Sequence, residues 1–469
     1  MSVIALTAGL VAQATGGRLL TGAADQPFTA VSTDTRTISA GALFIALEGE
    51  RFDGHAFAAD AVARGATGLV IAESQAARLA SGVAAASVVI AVDDTLAALQ
   101  GLGREIRRQS KATVIAITGS AGKTTTKEVT ADLLAARYRV YRNRGNLNNH
   151  IGLPLSLVEL RSGPDVAVVE LGMNHPGEIR TLVGLAEPDV RVWINVGDAH
   201  IGHFGSRAAV AAAKAEILEQ ATPATRLIGN ADDPLVMAHL EHAVGRVVTF
   251  GTSAGASVRA TSIVDRGFDG TSATVTTPSG TIAIEVPLAG RAQLLNVLAA
   301  IAVATMFDIP AAEIARRVSA LAPVARRGAS VRRADGMRVI DDSYNASPAA
   351  VEAMLAALAA TPAPGRRVAM LGEMRELGDA ALDLHAACGR AAARVPVDLL
   401  VVVGGPAADG LVDGAVAGGL AESRIRRYAT SQDAAAAAGA LVAPGDLVLV
   451  KGSRGTRMDV IVDRLLEVA

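Results

Sequence analysis

The chain has 469 residues, too many for one ordinary core, and length alone predicts about three domains. Its 44 basic and 46 acidic residues leave a net charge of −2, which gives no reason to expect a nucleic acid or an anionic membrane as partner. Alanine inflates the 51% hydrophobic fraction, the longest apolar stretches ("VLAAIAVATMF", 297–307) fall well short of the roughly 20 residues of a membrane span, and the single Cys388 excludes an internal disulfide or a cysteine-built zinc site.

In chain order, residues 1–105 mix short strand-like runs ("GALFIAL", "GLVIA", "SVVIAV") with alanine-rich helical stretches. The N-terminus lacks the basic start of a secretory signal, so a reducing, cytoplasmic setting without integral membrane association is expected. Residues 112–240 alternate strand and helix. "ATVIAIT" is a strand, 123–137 a helix, and "DVAVVEL" (165–171) and "VRVWINV" (190–196) are strands each followed by loop and helix. Such alternation predicts a parallel sheet with helical crossovers. Residues 246–288 turn to Thr, Ser, Val and Gly with turns at "FDGT" and "PSGT", which reads as an antiparallel β segment, and 291–320 return to helix. From 337 a further alternating series has strands "MRVIDD", "RRVAML", "DLLVVVGG" and "DLVLVKG", with helices near 348–360, 379–394, 433–442 and 456–468. The fold class is α/β, with boundaries near 106 and 325: domains 1–105, 106–325 and 326–469.

"AITGSAGKTTTKEV" (116–129) carries the chemistry. The end of the phosphate-loop pattern G-x-x-x-x-G-K-[ST] is met by Gly122-Lys123-Thr124, while Ile117 occupies the usual first glycine position and the glycine stands at Gly119. Small residues here (Gly119, Ser120, Ala121, Gly122) let backbone N–H groups approach phosphate, and the helix N-terminus adds partial positive charge. Lys123 would meet the outer phosphates, and Thr124 would ligate Mg²⁺. No N-K-x-D guanine-reading element is present, so adenine is the better guess.

Metal partners are expected at the carboxyl ends of neighbouring strands. Glu170 ends "DVAVVE" and His200 follows "VWINVGDA"; the plain alternatives are a solvated strand end and a structural histidine. Ser206 predicts a helix N-cap, and the stripe Val210, Lys214, Ile217, Leu218 then turns a lysine inward. Such a lysine either snorkels to water or, as a neutral amine, adds CO₂ and becomes a carbamate able to ligate metal.

These blocks together resemble the Mur ligase family, ATP-dependent enzymes that add amino acids to the peptidoglycan precursor. "TGSAGKTTTKE", "NRGNLNNHIGLPLSL", "VELGMNHPGEI", "INVGDAHIGHFGS", "AAKAEIL" and "GNADDP" match family blocks in family order, over nearly the whole chain. Four more (32–57, "DDSYNASPAAVEAM", "LGEMRELG", "VLVKGSRGTRMD") resemble the member that adds a dipeptide. The resemblance implies an N-terminal α/β domain for the uridine nucleotide, a central P-loop ATPase domain and a C-terminal Rossmann-like domain that closes over ATP and the amine. It implies a monomer that uses ATP and Mg²⁺ to join D-alanyl-D-alanine to UDP-N-acetylmuramoyl-tripeptide through an acyl phosphate. Two anions must then meet; at 4 Å two unit charges repel by about 4 kcal/mol at an effective dielectric of 20, which cations have to offset.

By position, the resemblance assigns catalysis to Lys123, Glu170, His200 and Lys214, and metal to Thr124, Glu170, His200 and carbamylated Lys214. ATP falls to residues 119–125 (Gly119 to Thr125) with Asn296, Arg327 and Asp342. Substrates fall to Ser32, Asp34, Thr35 and Arg36, to Asn146, Asn148 and Asn149, and to Tyr344, Asn345 and Lys451. The plain reading of the three asparagines is turn formation, and of Ser32 to Arg36 an ordinary polar turn. "GRAQLLN" departs from the family's G-R-H-N-x-x-N at Ala292 and Gln293, which bears on Asn296; Ser347 and Asp459 also depart. Two alternatives stay open: another ligase of the superfamily, adding a single amino acid or glutamate to a folate, and a nucleotide switch without ligation.

Overall fold

The computed structural model describes residues 3–49, 52–80, 88–199 and 201–467. Two compact units share the chain, one of residues 1–117 and 137–191, the other of 118–136 and 192–469. Seven elements bear on function: β1 (Thr113–Thr118), α1 (Lys123–Leu134), β2 (Val166–Glu170), α2 (Arg207–Ala215), β3 (Arg338–Asp342), β4 (Arg367–Gly372) and β5 (Leu447–Lys451).

In the first unit, a five-stranded sheet runs in the order Arg18–Thr21, Val88–Val92, Gly68–Ala72, Leu43–Ile45, Val31–Ser32. The first strand is antiparallel and the others parallel. "GLVIA" and "VVIAV" are apolar throughout because parallel strands are covered on both faces. The helix Thr95–Gln109 starts where Asp94 accepts the Leu96 and Ala97 N–H groups, and buries Ala98, Leu99, Leu102 and Ile106. In the same unit β2 lies between β1 and Val140–Arg142, parallel to both. Its apolar residues Val166 to Val169 are fully buried, so Glu170 emerges at the carboxyl end of a central strand.

In the second unit the strands Gly280–Val286, Thr271–Thr277, Val258–Asp265, Arg246–Gly251 and Arg226–Asn230 lie side by side in that order. Only Val258 to Val286 form antiparallel hairpins; Arg246–Gly251 is parallel to Arg226–Asn230 and meets Val258–Asp265 in parallel. The antiparallel segment is thus shorter than 246–288, because an apolar run reads the same in either direction. "VLAAIAVATM" belongs to the helix Ala292–Met306, which is buried from Asn296 to Ala304 and packed on α1. No helix among the described residues is long and apolar enough to cross a membrane.

A six-stranded sheet follows, ordered Ala329–Arg332, β3, β5, β4, Leu399–Val403, Ile425–Tyr428, all parallel except the first. Apolar layers cover both faces. The expected strands and helices of this series are present. The edge strands "ASVR" and "IRRY" and the helix Asp409–Ala417 are additional. Edge strands face water on one side and need no apolar run, which leaves them unmarked in sequence. Phe268, from the turn Gly267–Asp269, is buried among Ile340, Leu355 and Leu358 of this layer. Its N–H donates to Thr361 Oγ1 at 2.7 Å, and Arg338 grips the turn through the Phe268 carbonyl (2.8 Å) and Asp269 (2.6 Å).

Candidate active site

The second unit holds the glycine loop. β1 ends at Thr118 and α1 begins at Lys123, with Gly122 at φ +86° as the residue that turns the chain. A Cβ at Gly122 would lie 2.1 Å from Asn296 Oδ1, so the loop closes directly onto the helix Ala292–Met306. Asn296 is held there by Gln293, whose Oε1 accepts from Asn296 Nδ2 at 2.8 Å, and by Thr126 Oγ1 at 3.4 Å. The glutamine that departs from the family pattern therefore orients the asparagine next to the loop.

Sequence reasoning missed Asn195. Its Oδ1 accepts from the Ser120 and Ala121 N–H groups, both at 3.0 Å, and its Nδ2 donates to the Ala121 carbonyl at 3.1 Å. Two of the loop's amides are thus engaged by the protein, which leaves the α1 N-terminus from Gly122 onward as the part of the loop suited to an anion. The available signal was a lone asparagine closing the apolar run "VWIN".

The expected N-cap is present: Ser206 Oγ accepts the Ala209 N–H at 3.1 Å and starts α2. Lys214 is 1% exposed, so it does not snorkel. Its Nζ donates to the Gly119 carbonyl at 3.1 Å, and Lys123 Nζ donates to the same oxygen at 2.8 Å. Burial, then the neighbouring Lys123, holds the Lys214 amine well below the ordinary lysine range. Asp198 and Arg207, also unforeseen, form a two-pronged ion pair at 2.5 Å that joins the loop after "VWINVG" to the first turn of α2. His200 lies outside the described residues.

The same unit gathers the C-terminal candidates. Asp342 Oδ2 and Lys451 Nζ pair at 2.6 Å where β3 and β5 end side by side, and Lys451 also donates to the Asn345 carbonyl at 2.9 Å. Burial pushes the Asp342 carboxyl up, against the pull of Lys451 and Arg327. The Arg327 guanidinium stacks over the Tyr344 ring at 4.2 Å.

In the first unit, Glu170 is 1% exposed. Its backbone N–H is taken by Asn143 Oδ1 at 3.1 Å, and Asn148 Nδ2 reaches its Oε2 at 3.4 Å. Asn143, a second residue the sequence did not flag, is itself buried and donates to the Leu147 carbonyl at 3.1 Å. Asn149 turns the chain toward the helix Gly152–Val158 by accepting from the Ile151 and Gly152 N–H groups at 3.2 and 2.8 Å, as a turn former does. Asn146 is exposed. In the turn at 32–36, Ser32 Oγ accepts from Asp34 N–H at 3.1 Å, and Thr35 opens a short helical turn capped by Asp34. The Arg36 guanidinium is forked onto Asp34, whose carboxyl it holds down at about 2.

A Gly-Lys-Thr loop between a buried parallel strand and a helix, with a second lysine sealed behind it, defines an enzyme of the phosphate-loop class. Family models specify it further. The Mur ligase middle domain matches residues 117–304, the Mur ligase glutamate ligase domain residues 326–454, and the catalytic domain of the Mur ligase family residues 27–107. The UDP-N-acetylmuramoyl-tripeptide–D-alanyl-D-alanine ligase of Bacillus subtilis is 34% identical over 438 residues, which span 93% of each chain. Among solved structures, MurF from Acinetobacter baumannii is similar with a TM-score of 0.88 at 32% identity, covering 100% of both chains. The MurF ligase from Thermotoga maritima in complex with ADP gives 0.80 at 27% identity, over 94% of this chain and 98% of that one. The chain belongs to the Mur ligase family.

Proposed function

We propose that this chain is an ATP-dependent ligase that joins D-alanyl-D-alanine to UDP-N-acetylmuramoyl-tripeptide in the cytoplasm, as a step of peptidoglycan precursor synthesis. The observation that carries this reading is the convergence of Lys123 and Lys214 on the Gly119 carbonyl. A phosphate brought by substrate, or a carbamate made on Lys214, would set an anion beside the Lys123 ammonium at the mouth of the glycine loop. A neutral, buried amine is the form that adds CO₂, and the resulting carbamate would face Lys123 as an anion. The ADP complex of the Thermotoga relative supports adenine nucleotide as the ligand.

In this reading the α1 N-terminus and Lys123 bind the β- and γ-phosphates of ATP, and Asn195 keeps the loop in its receptive shape. Thr124, Glu170, His200 and carbamylated Lys214 would hold Mg²⁺, which supplies charge neutralisation and Lewis acidity to the transferring phosphoryl group. A carboxylate oxygen of the tripeptide attacks the γ-phosphorus and ADP leaves. The amine nitrogen of D-alanyl-D-alanine then attacks the acyl carbon, gives up a proton and displaces phosphate. Arg327, Asn296 and Asp342 are assigned to the nucleotide, and Ser32, Asp34, Thr35 and Arg36 to the uridine nucleotide. Asn146, Asn148, Asn149, Tyr344, Asn345 and Lys451 are assigned to the reacting substrates.

Purified protein tests this directly. Phosphate release is expected only when ATP, UDP-N-acetylmuramoyl-tripeptide and D-alanyl-D-alanine are all present. Equal turnover with a free single amino acid, or with a folate and glutamate, would remove the assignment.

A further inference from the structure

Beyond the strand Val190–Trp193, four successive residues, 195–198, are each tied down. Asn195 holds the glycine loop: its side-chain oxygen accepts the Ser120 and Ala121 N–H groups, and its carbonyl also accepts the Ser120 N–H at 3.1 Å. The Val196 N–H donates to Asp233 Oδ2 at 2.7 Å, and Asp233 is itself the N-cap of the helix Pro234–Leu240. The Gly197 N–H donates to Ser120 Oγ at 2.8 Å. Asp198 accepts from Nε and Nη2 of Arg207, each at 2.5 Å. The segment is thus a bracket, with the glycine loop bonded to its first and third residues and α2 to its fourth.

α2 returns to the same loop from its other end. Arg207, Val210 and Lys214 stand at i, i+3 and i+7 and so share one helical face. Arg207 meets the bracket at the first turn, and Lys214 Nζ meets the Gly119 carbonyl at 3.1 Å from the last. The path from Gly119 through Ser120, Asn195, Asp198, Arg207 and Lys214 therefore closes on itself. A cation in the first turn of a helix is disfavoured by the helix dipole, so α2 gains nothing from Arg207 on its own account. An exposed ion pair also contributes little, but this one is half sealed: the arginine side chain is exposed, while Asp198 is only 5% exposed. Without the guanidinium a buried carboxylate would lose its partner, which is costly. The Arg207 charge also faces the carboxylates of Glu352 and Asp233, so it balances more than one acid.

We propose that Asp198 and Arg207 are positioning residues for Lys214: their ion pair fixes the roll of α2, so that the amine two turns further on stands beside the glycine loop, where it takes up CO₂. In that step the amine nitrogen bonds to the carbon of dissolved CO₂, one carbon–oxygen π pair moves onto oxygen, and the nitrogen releases a proton to solvent, leaving a carbamate. The inference rests on the functional reading above, in which Lys214 is carbamylated. Neither residue is assigned to a substrate; both act through the helix.

The test is ¹³C NMR of the protein in ¹³C-bicarbonate with MgADP, alongside steady-state phosphate release with the full set of substrates. A carbamate resonance is expected in the wild type and is absent from Lys214→Met. Arg207→Gln is expected to need about tenfold more bicarbonate for the same carbamate occupancy, and to lower kcat by about tenfold to a hundredfold, the scale of a reacting group displaced by about 1 Å, with ADP affinity unchanged. Added bicarbonate recovers part of that kcat, which a merely structural loss would not allow. Asp198→Asn moves both readouts in the same direction. Arg207→Lys, which keeps the charge, restores part of each, and Arg207→Gln combined with Asp198→Asn is no worse than Arg207→Gln alone, because the two side chains act as one unit. Unchanged carbamate occupancy in Arg207→Gln, or an equal loss of ADP affinity, would overturn the proposal. Absence of the carbamate from the wild type overturns the reading of Lys214, and this inference with it.

Discussion

Lys123 and Lys214 share a single acceptor: their Nζ atoms lie 2.8 and 3.1 Å from the Gly119 carbonyl oxygen. One lysine arrives from the start of α1 and the other from the last turn of α2. Because Lys214 is sealed from water, proximity to a second cation is unscreened, and both effects favour its neutral form.

The first prediction concerns stability against pH. The folded-state pKa of Lys214 is depressed from 10.5, so between 10.5 and that lower value the unfolded chain binds more protons than the folded one. Its contribution is fully present above 10.5 and is lost as pH falls through the folded-state value. Lys214→Met removes this penalty and is of similar volume. In CO₂-free buffer without ligands, the wild-type melting temperature should fall from pH 10 toward 7 more steeply than that of the variant. Activity of the variant should drop by about a hundredfold or more, the scale of one lost electrostatic group at a phosphoryl-transfer site. Parallel melting curves for the two proteins would refute the shifted lysine.

The second concerns Gly122, whose φ of +86° and missing Cβ are both required. Gly122→Ala should cost about 1–3 kcal/mol, combining left-handed strain with the collision against Asn296. ADP affinity should fall by more than tenfold. Gly122→Ala combined with Asn296→Ala should recover part of the stability, because the clashing atom is gone. Denaturant midpoints of the four proteins in this cycle measure the coupling; strict additivity would contradict the close approach.

A third prediction addresses Phe268, which is 4% exposed within the apolar layer of the C-terminal sheet. Phe268→Ala should cost about 3–5 kcal/mol, the usual range for a buried phenylalanine. Thr361→Val keeps the shape but leaves the Phe268 N–H without its acceptor, and should cost about 1–3 kcal/mol. Chemical denaturation followed by far-UV circular dichroism checks both, and losses below about 0.5 kcal/mol, the range of ordinary surface substitutions, would contradict the packing.

What could be read from the chain was local or periodic. Alternating apolar runs gave away the parallel series; Gly-Lys-Thr after an apolar strand marked the turn onto α1; Ser206 and the stripe through Lys214 predicted a capped helix with a lysine facing inward. Each depends on neighbours within about two helical turns, where backbone geometry dictates which side chains share a face.

Tertiary structure alone decided the partners. Asn195 reaches amides 74 and 75 residues away, and Asn143 reaches the Glu170 N–H across 27. Whether Lys214 would snorkel or be sealed, and which direction Arg246–Gly251 would run, were likewise settled only by strand order and packing. The physical reason is common to all of them. Burial and hydrogen-bond pairing depend on which distant segments become neighbours, and spacing along a chain carries no record of that choice.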